Sequence, residues 1–153
     1  MDKSRRRKWP SALLATAAIM ALGTGPAVAD SATAQSVQGR ATYYNDAGYG
    51  ACGTQIDASR EFLVAVPAAY WTSPNPNNDR LCRGVWVRVT YQGRTITVPV
   101  ADKCPSCDSS HIDLSLPAFQ QLADPNVGVI NVQWEFVGNW LGQVPADHSR
   151  SGK

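Results

Sequence analysis

The groups in this chain whose spacing suits chemistry are few. His111 and Asp113 lie two residues apart in His111-Ile-Asp113, so on an extended strand both side chains leave the same face. They could form a His–Asp pair there. In the plainer alternative, His111 closes a turn and bonds to backbone, while Asp113 holds backbone amides. Cys104-Pro-Ser-Cys107 has the spacing of a redox dithiol, but such a site places its first cysteine at a helix N-terminus after a strand. Here an apolar strand does precede, yet Asp108-Ser-Ser110 follows and reads as a turn. Four thiolates could also hold zinc, although Cys52 and Cys82 lack the short spacing of a zinc knuckle. An even cysteine count in an exported chain reads instead as two disulfides, for which three pairings exist. We favour Cys52–Cys82 and Cys104–Cys107. Chain-entropy reasoning gives ~3–4 kcal/mol for the long loop and about 2 for the short one.

Export itself is read from the first 29 residues. Arg5, Arg6, Arg7 and Lys8 form a cationic head, and Ser11–Gly25 is apolar or small. Ala27-Val28-Ala29 then supplies the small residues a signal peptidase needs. The apolar run is shorter than the roughly 20 residues a bilayer span takes. Removing residues 1–29 takes Asp2, Lys3, Arg5, Arg6, Arg7 and Lys8 away, so 14 basic and 12 acidic residues become nine and eleven. The mature chain is slightly acidic, which gives no electrostatic case for nucleic acid. Heptads, repeats and a second apolar span are absent from the sequence, so a secreted monomer without membrane attachment is expected.

The elements that must position these groups are mostly strands. Residues 30–36 are small and polar and read as a pro-segment or disordered N-terminus; 143–153 read as a flexible tail. Between them, 37–142 form one domain. Gly39–Tyr44 is a first strand, running into a glycine-rich loop from Asn45 to Gly50. Phe62–Val66 is a buried strand stopped by Pro67. Thr72–Asn78, with two prolines and three asparagines, reads as an exposed loop without regular structure. Val85, Val87, Val89 and Tyr91 alternate with polar residues, Gln92-Gly93 turns the chain, and Ile96, Val98 and Val100 alternate back. One helix follows, with Ser115 as its cap, Pro117 in its first turn and Ala118, Phe119, Leu122 and Ala123 on its apolar side. A last strand puts Ile130, Val132, Trp134 and Phe136 on one face. Half a dozen short strands with one helix suit a closed barrel, which removes exposed sheet edges.

Five segments in order carry a resemblance. They are Gly39-Arg-Ala-Thr-Tyr-Tyr44, Gly50-Ala-Cys-Gly53, Val64-Ala-Val66, Val98–Cys107 and Ile112-Asp-Leu-Ser-Leu-Pro-Ala-Phe119. Together they resemble the expansin, barwin and rare-lipoprotein-A group, which implies a mainly β fold: a six-stranded double-psi β-barrel. The resemblance implies a groove in which Thr42, Asp102 and Asp113 match shared positions, with His111 beside them. Related enzymes cut glycosidic bonds with two carboxylates, ~6.5–9.5 Å apart in an inverting pair. Expansins carry the groove residues without clear hydrolysis, because the base is missing. Cys104 stands here where some bacterial expansins place a groove tyrosine. Asp46 or Asp57 could serve as a base, but loop aspartates more often bond their own backbone. The expectation is a non-enzyme, with no metal and no cofactor.

Within that group, the single-domain layout, the four cysteines and Tyr43-Tyr-Asn-Asp-Ala-Gly-Tyr-Gly-Ala-Cys-Gly53 resemble secreted bacterial inhibitors of papain-type cysteine proteases. The resemblance implies a papain-like protease as partner. Two loops could block its cleft. One carries Asn45, Asp46, Gly48, Tyr49 and Gly50; the other carries Tyr70, Trp71, Pro74 and Pro76. In either, the aromatics could equally fold inward. Thiol exchange through Cys104–Cys107 is a third route. The competing function is an expansin-like wall protein that binds polysaccharide along the groove and loosens it without hydrolysis. Trp86, Trp134 and Trp140 could then stack on sugars, although Trp134 fits the core face and the chain ends before a carbohydrate-binding module. Lytic cleavage of peptidoglycan strands is a weaker third reading.

Overall fold

The computed structural model describes residues 35–138. The signal segment 1–29, the tail 143–153 and Trp140 lie outside the described residues. Strands β1 (Val37–Tyr44), β4 (Val64–Pro67), β5 (Val85–Tyr91), β6 (Arg94–Cys104), β7 (His111–Ser115) and β8 (Ile130–Gly138) close a barrel in the order β1-β7-β4-β6-β5-β8. β1 runs parallel to β7 and β4 parallel to β6; the other neighbours are antiparallel.

Alternation decides which side chains fill the barrel. Val85, Val87 and Val89 of β5, Val98 and Val100 of β6, and Ile130, Val132, Trp134 and Phe136 of β8 point inward and are buried. Gln92 and Gly93 both take positive φ, 46° and 80°, the twist of a two-residue hairpin turn between right-twisted strands. Strand β4 is buried at every position because both faces are covered. Val64 and Val66 meet the barrel core, while Ala65 packs outward on Cys104 and Cys107.

Three local expectations are corrected. The segment after β1 is not a plain loop: β2 (Ala47–Tyr49) pairs antiparallel with β3 (Gln55–Asp57) as a separate two-stranded sheet. The helix α1 spans only Leu116–Gln120, and Ser115 makes no side-chain cap. Its hydroxyl instead accepts from the amide of Leu63 at 3.2 Å, a buried strand-end donor that would otherwise be unpaired. Pro76–Asn78 forms one 3-10 turn inside the expected irregular loop, with Asn75 accepting from the amide of Asn77.

Both favoured disulfides are present, Cys52–Cys82 and Cys104–Cys107, and among the described residues every cysteine is bridged. Bridged in this way the cysteines present no thiolate set, and Cys104 ends a strand with another strand following, which does not match the helix N-terminus of a redox dithiol. Cys104–Cys107 spans the start of the turn between β6 and β7.

Candidate functional site

Four adjacent strands place one residue each in a single row. Thr42 on β1 is opposite Asp113 on β7, Asp113 is opposite Ala65 on β4, and Ala65 is opposite Asp102 on β6. The small Ala65 thus separates the two carboxylates along the row and is itself covered by Cys104 and Cys107. Because β1 and β7 are parallel, the same register sets Arg40 opposite His111, on the same face as Thr42 and Asp113.

Thr42 ties the row together. Its hydroxyl donates to Asp113 Oδ1 at 2.7 Å and lies 2.8 Å from His111 Nε2. With its one proton given to the carboxylate, Thr42 can only accept from His111, so the imidazole carries its proton on Nε2. His111 Nδ1 is buried without a partner. Burial, aided by Arg40, pushes the imidazole below its ordinary value, against the pull of Asp113 and Asp108. Asp113 is pushed up, first by burial and then by Asp102 and Asp46, with Thr42 and His111 opposing. The His111 ring therefore bonds to a groove side chain, while its amide closes a turn onto the Asp108 carbonyl at 3.0 Å.

Asp102 takes the part that a plain reading gave to Asp113. Its Oδ1 accepts from the amides of Ala51 at 2.9 Å and Lys103 at 2.8 Å, and its Oδ2 from the Tyr44 hydroxyl at 3.3 Å. Burial and the neighbouring Asp102 push the Tyr44 phenol above the ordinary range. Tyr44 was not singled out in the sequence, yet it lies two residues beyond Thr42, a strand repeat that would have found it. A general base needs a free lone pair aimed at water. Asp102 engages Oδ1 with two amides and Oδ2 with one long hydroxyl bond, which leaves Oδ2 one lone pair. Asp57 is likewise engaged, by the amide of Ser59 at 3.0 Å and by its hydroxyl. Among the described residues no group of three or more His, Cys, Asp or Glu is placed to hold a metal ion.

The two loop candidates separate. Asn45, Asp46, Gly48 and Tyr49 are exposed, with Tyr49 at 78 %. Gly50 is buried at the seam with the barrel. In the other loop, Trp71 is buried and its indole donates to the carbonyl of Val66. Tyr70 packs edge-on against Trp134 and Phe136, and its hydroxyl donates to the carbonyl of Ser109. Both aromatics fold inward, because the barrel end between β4 and β5 needs apolar cover. Pro74 is exposed and Pro76 half-buried. Asp79, unremarked in the sequence, is 1 % exposed and accepts from the amides of Thr72, Ser73 and Leu81. The Asp-Arg-Leu segment before a helical turn was its signal. Cys104 and Cys107 are buried, which denies an attacking thiolate the access that exchange needs. Trp134 lies in the core, and Trp86 is exposed on the outer barrel wall.

Barrel and groove define a double-psi β-barrel protein of the expansin-like group. The family model described as lytic transglycolase matches residues 36–134, and the chain belongs to that family. It is 61% identical over 127 residues to a papain inhibitor of Streptomyces mobaraensis, covering 82% of this chain and 89% of that protein. The solved structure of the Streptomyces papain inhibitor matches with a TM-score of 0.67 at 64% identity, covering 68% of this chain and 96% of the other. A Clavibacter michiganensis expansin matches with a TM-score of 0.55 at 31% identity, covering 69% of this chain and 52% of the expansin.

Proposed function

We propose that this protein is a secreted, stoichiometric inhibitor of papain-type cysteine proteases that acts without catalysis or cofactor, after export and removal of residues 1–29. The observation that carries this reading is the 61% identity to a papain inhibitor over 82% of this chain and 89% of that protein. The groove chemistry agrees with it. Asp113 is a carboxyl held towards its neutral form, and Asp102 is committed to the Ala51 and Lys103 amides and the Tyr44 hydroxyl, a use that suits anchoring more than proton abstraction. Titrating the purified mature domain against papain should reach a stoichiometric endpoint. Full papain activity at a large molar excess would overturn the proposal.

A second reading is supported by the Thr42–Asp113–Ala65–Asp102 row. A related expansin mutant, 30% identical with a TM-score of 0.53, has been solved with cellohexaose. Binding to polysaccharide along this groove predicts pull-down with insoluble cellulose or peptidoglycan. Asp113→Asn should weaken it. Undiminished capture by that variant would remove the groove from consideration.

A further inference from the structure

We infer that the β2–β3 hairpin is the element that enters the protease cleft, with Tyr49 as its central contact; this rests on the inhibitor reading above and deepens it.

The register sets the direction of each side chain. Gly48 pairs with Ile56; Ile56 is buried against Ala58 and Leu63 and anchors the hairpin to the barrel, while a Cβ at Gly48 would meet nothing within 4 Å. Residues one step along a strand face the opposite way. Ala47 with Asp57, and Tyr49 with Gln55, therefore face outward. Tyr49 is the most exposed of the exposed large hydrophobic residues among those described. A lone exposed aromatic means little by itself. What distinguishes Tyr49 is the fixed backbone beneath it.

That backbone is fastened on all sides. Gly50 donates to the carbonyl of Thr54 at 3.0 Å, and Ala58 to the carbonyl of Asp46 at 2.9 Å, closing both ends of the pair. The amide of Ala51 is held by Asp102, and that of Cys52 by the carbonyl of Ala101 at 3.4 Å. Cys52 is also bridged to Cys82. A Cβ at Gly50 would stand 2.6 Å from the Ala101 carbonyl oxygen, so glycine is what lets the hairpin sit this close to the barrel. Asp102 is in this sense a positioning residue for the hairpin.

A papain-type cleft receives an extended peptide. β2 is already extended, and beside Tyr49 it offers only Ala47 and Gly48, so it is a narrow wedge with one large side chain. A segment that is frozen before binding loses little conformational freedom on docking, and tyrosine is enriched among residues that dominate interface energies. The rival loop is also fixed, by Asp79 and Asn75, but it presents no exposed aromatic. Its aromatics are turned into the core, and Asp79 draws the Thr72 and Ser73 amides inward.

The test uses the mature, disulfide-bonded chain and papain. Tyr49→Ala and Gly48→Arg should each raise Ki by at least about 30-fold while leaving the Tm unchanged. Asn75→Arg, in the rival loop, should leave Ki unchanged. Retained wild-type inhibition by both hairpin variants would overturn the hairpin assignment while the inhibitor reading stands, and loss of inhibition in Asn75→Arg alone would transfer the role to the rival loop. A wild-type chain that fails to inhibit papain would remove the inhibitor reading, and the hairpin assignment with it.

Discussion

Thr42 gives its only hydroxyl proton to Asp113 across 2.7 Å, and this bond dictates the protonation of His111 on the neighbouring strand position. A second proton on the imidazole would sit on Nδ1, in a buried place with no acceptor. His111 should therefore remain the neutral Nε2–H tautomer to below its ordinary value of 6.5. Nitrogen-15 NMR of the ring through a pH titration checks this; an imidazole charged at pH 6.5 or above contradicts the geometry.

The same group links stability to pH. Its folded value is depressed, so the unfolded chain binds the proton more readily. The stabilisation is complete above 6.5 and is lost as pH falls from there through the folded value. Asp113 acts in the opposite sense, since its raised value means that the folded chain gains relative stability on protonation. Denaturant melts of Asp113→Asn should accordingly show a steeper loss of stability on acidification than the wild type over the range where Asp113 titrates.

Asp79 is a buried structural carboxylate. Burial alone would raise its value, but the amides of Leu81, Ser73 and Thr72 outweigh that and hold it below the ordinary 3.8. Asp79→Ala leaves those donors without their acceptor and should cost roughly 3 kcal/mol or more. Urea denaturation measures the loss. A change within 0.5 kcal/mol, the scale of an ordinary surface substitution, would show the loop to be held by other means. The Asp79 contribution is present above 3.8 and disappears as pH falls through the folded value.

Ser115→Ala tests the hydroxyl that replaced a helix cap. The Leu63 amide would be left buried and unpaired, at about 1–3 kcal/mol. If Ser115 were an ordinary cap, a Ser115→Asp variant would restore stability; here the buried carboxylate should make it worse.

The two disulfides should separate in weight and in function. Replacing Cys52 and Cys82 by Ser opens a 30-residue separation and should remove ~3–4 kcal/mol, whereas Cys104 and Cys107, three residues apart, should account for about 1.5–2 kcal/mol. Because Cys104 and Cys107 are buried, the Cys104→Ser/Cys107→Ser chain should still inhibit papain. Loss of inhibition with an intact fold would revive thiol exchange.

Much of the barrel was legible in residue order alone. Val85–Tyr91 and Arg94–Cys104 announced their hairpin by a period of two and a Gln-Gly turn, and the inward face of Ile130, Val132, Trp134 and Phe136 followed from the same alternation. Such periodicity is local, because neighbours on one strand see the same core. Short elements were harder to read. β2 and β3 have three residues each and owe their existence to each other and to Ile56 beneath them, so nothing in Ala47-Gly-Tyr49 alone marks a strand. The helix expected to include Leu122 and Ala123 ended at Gln120, where the chain turns on Gln121–Ala123 amides bonded to Ala118 and Phe119.

What the sequence by itself determined was the set of groups: alternating strands, four cysteines, two acidic positions and a histidine at strand spacing. What only the tertiary structure decided was their employment. Parallel pairing of β1 with β7 and of β4 with β6 brought Thr42, Asp113, Ala65 and Asp102 into one row from distant parts of the chain. It also exchanged the roles of two carboxylates, giving backbone amides to Asp102 and a hydroxyl to Asp113. The same packing turned Trp71 inward and Tyr49 outward. Such outcomes depend on which surfaces meet across the barrel, and a pattern along one strand holds no record of the strand beside it.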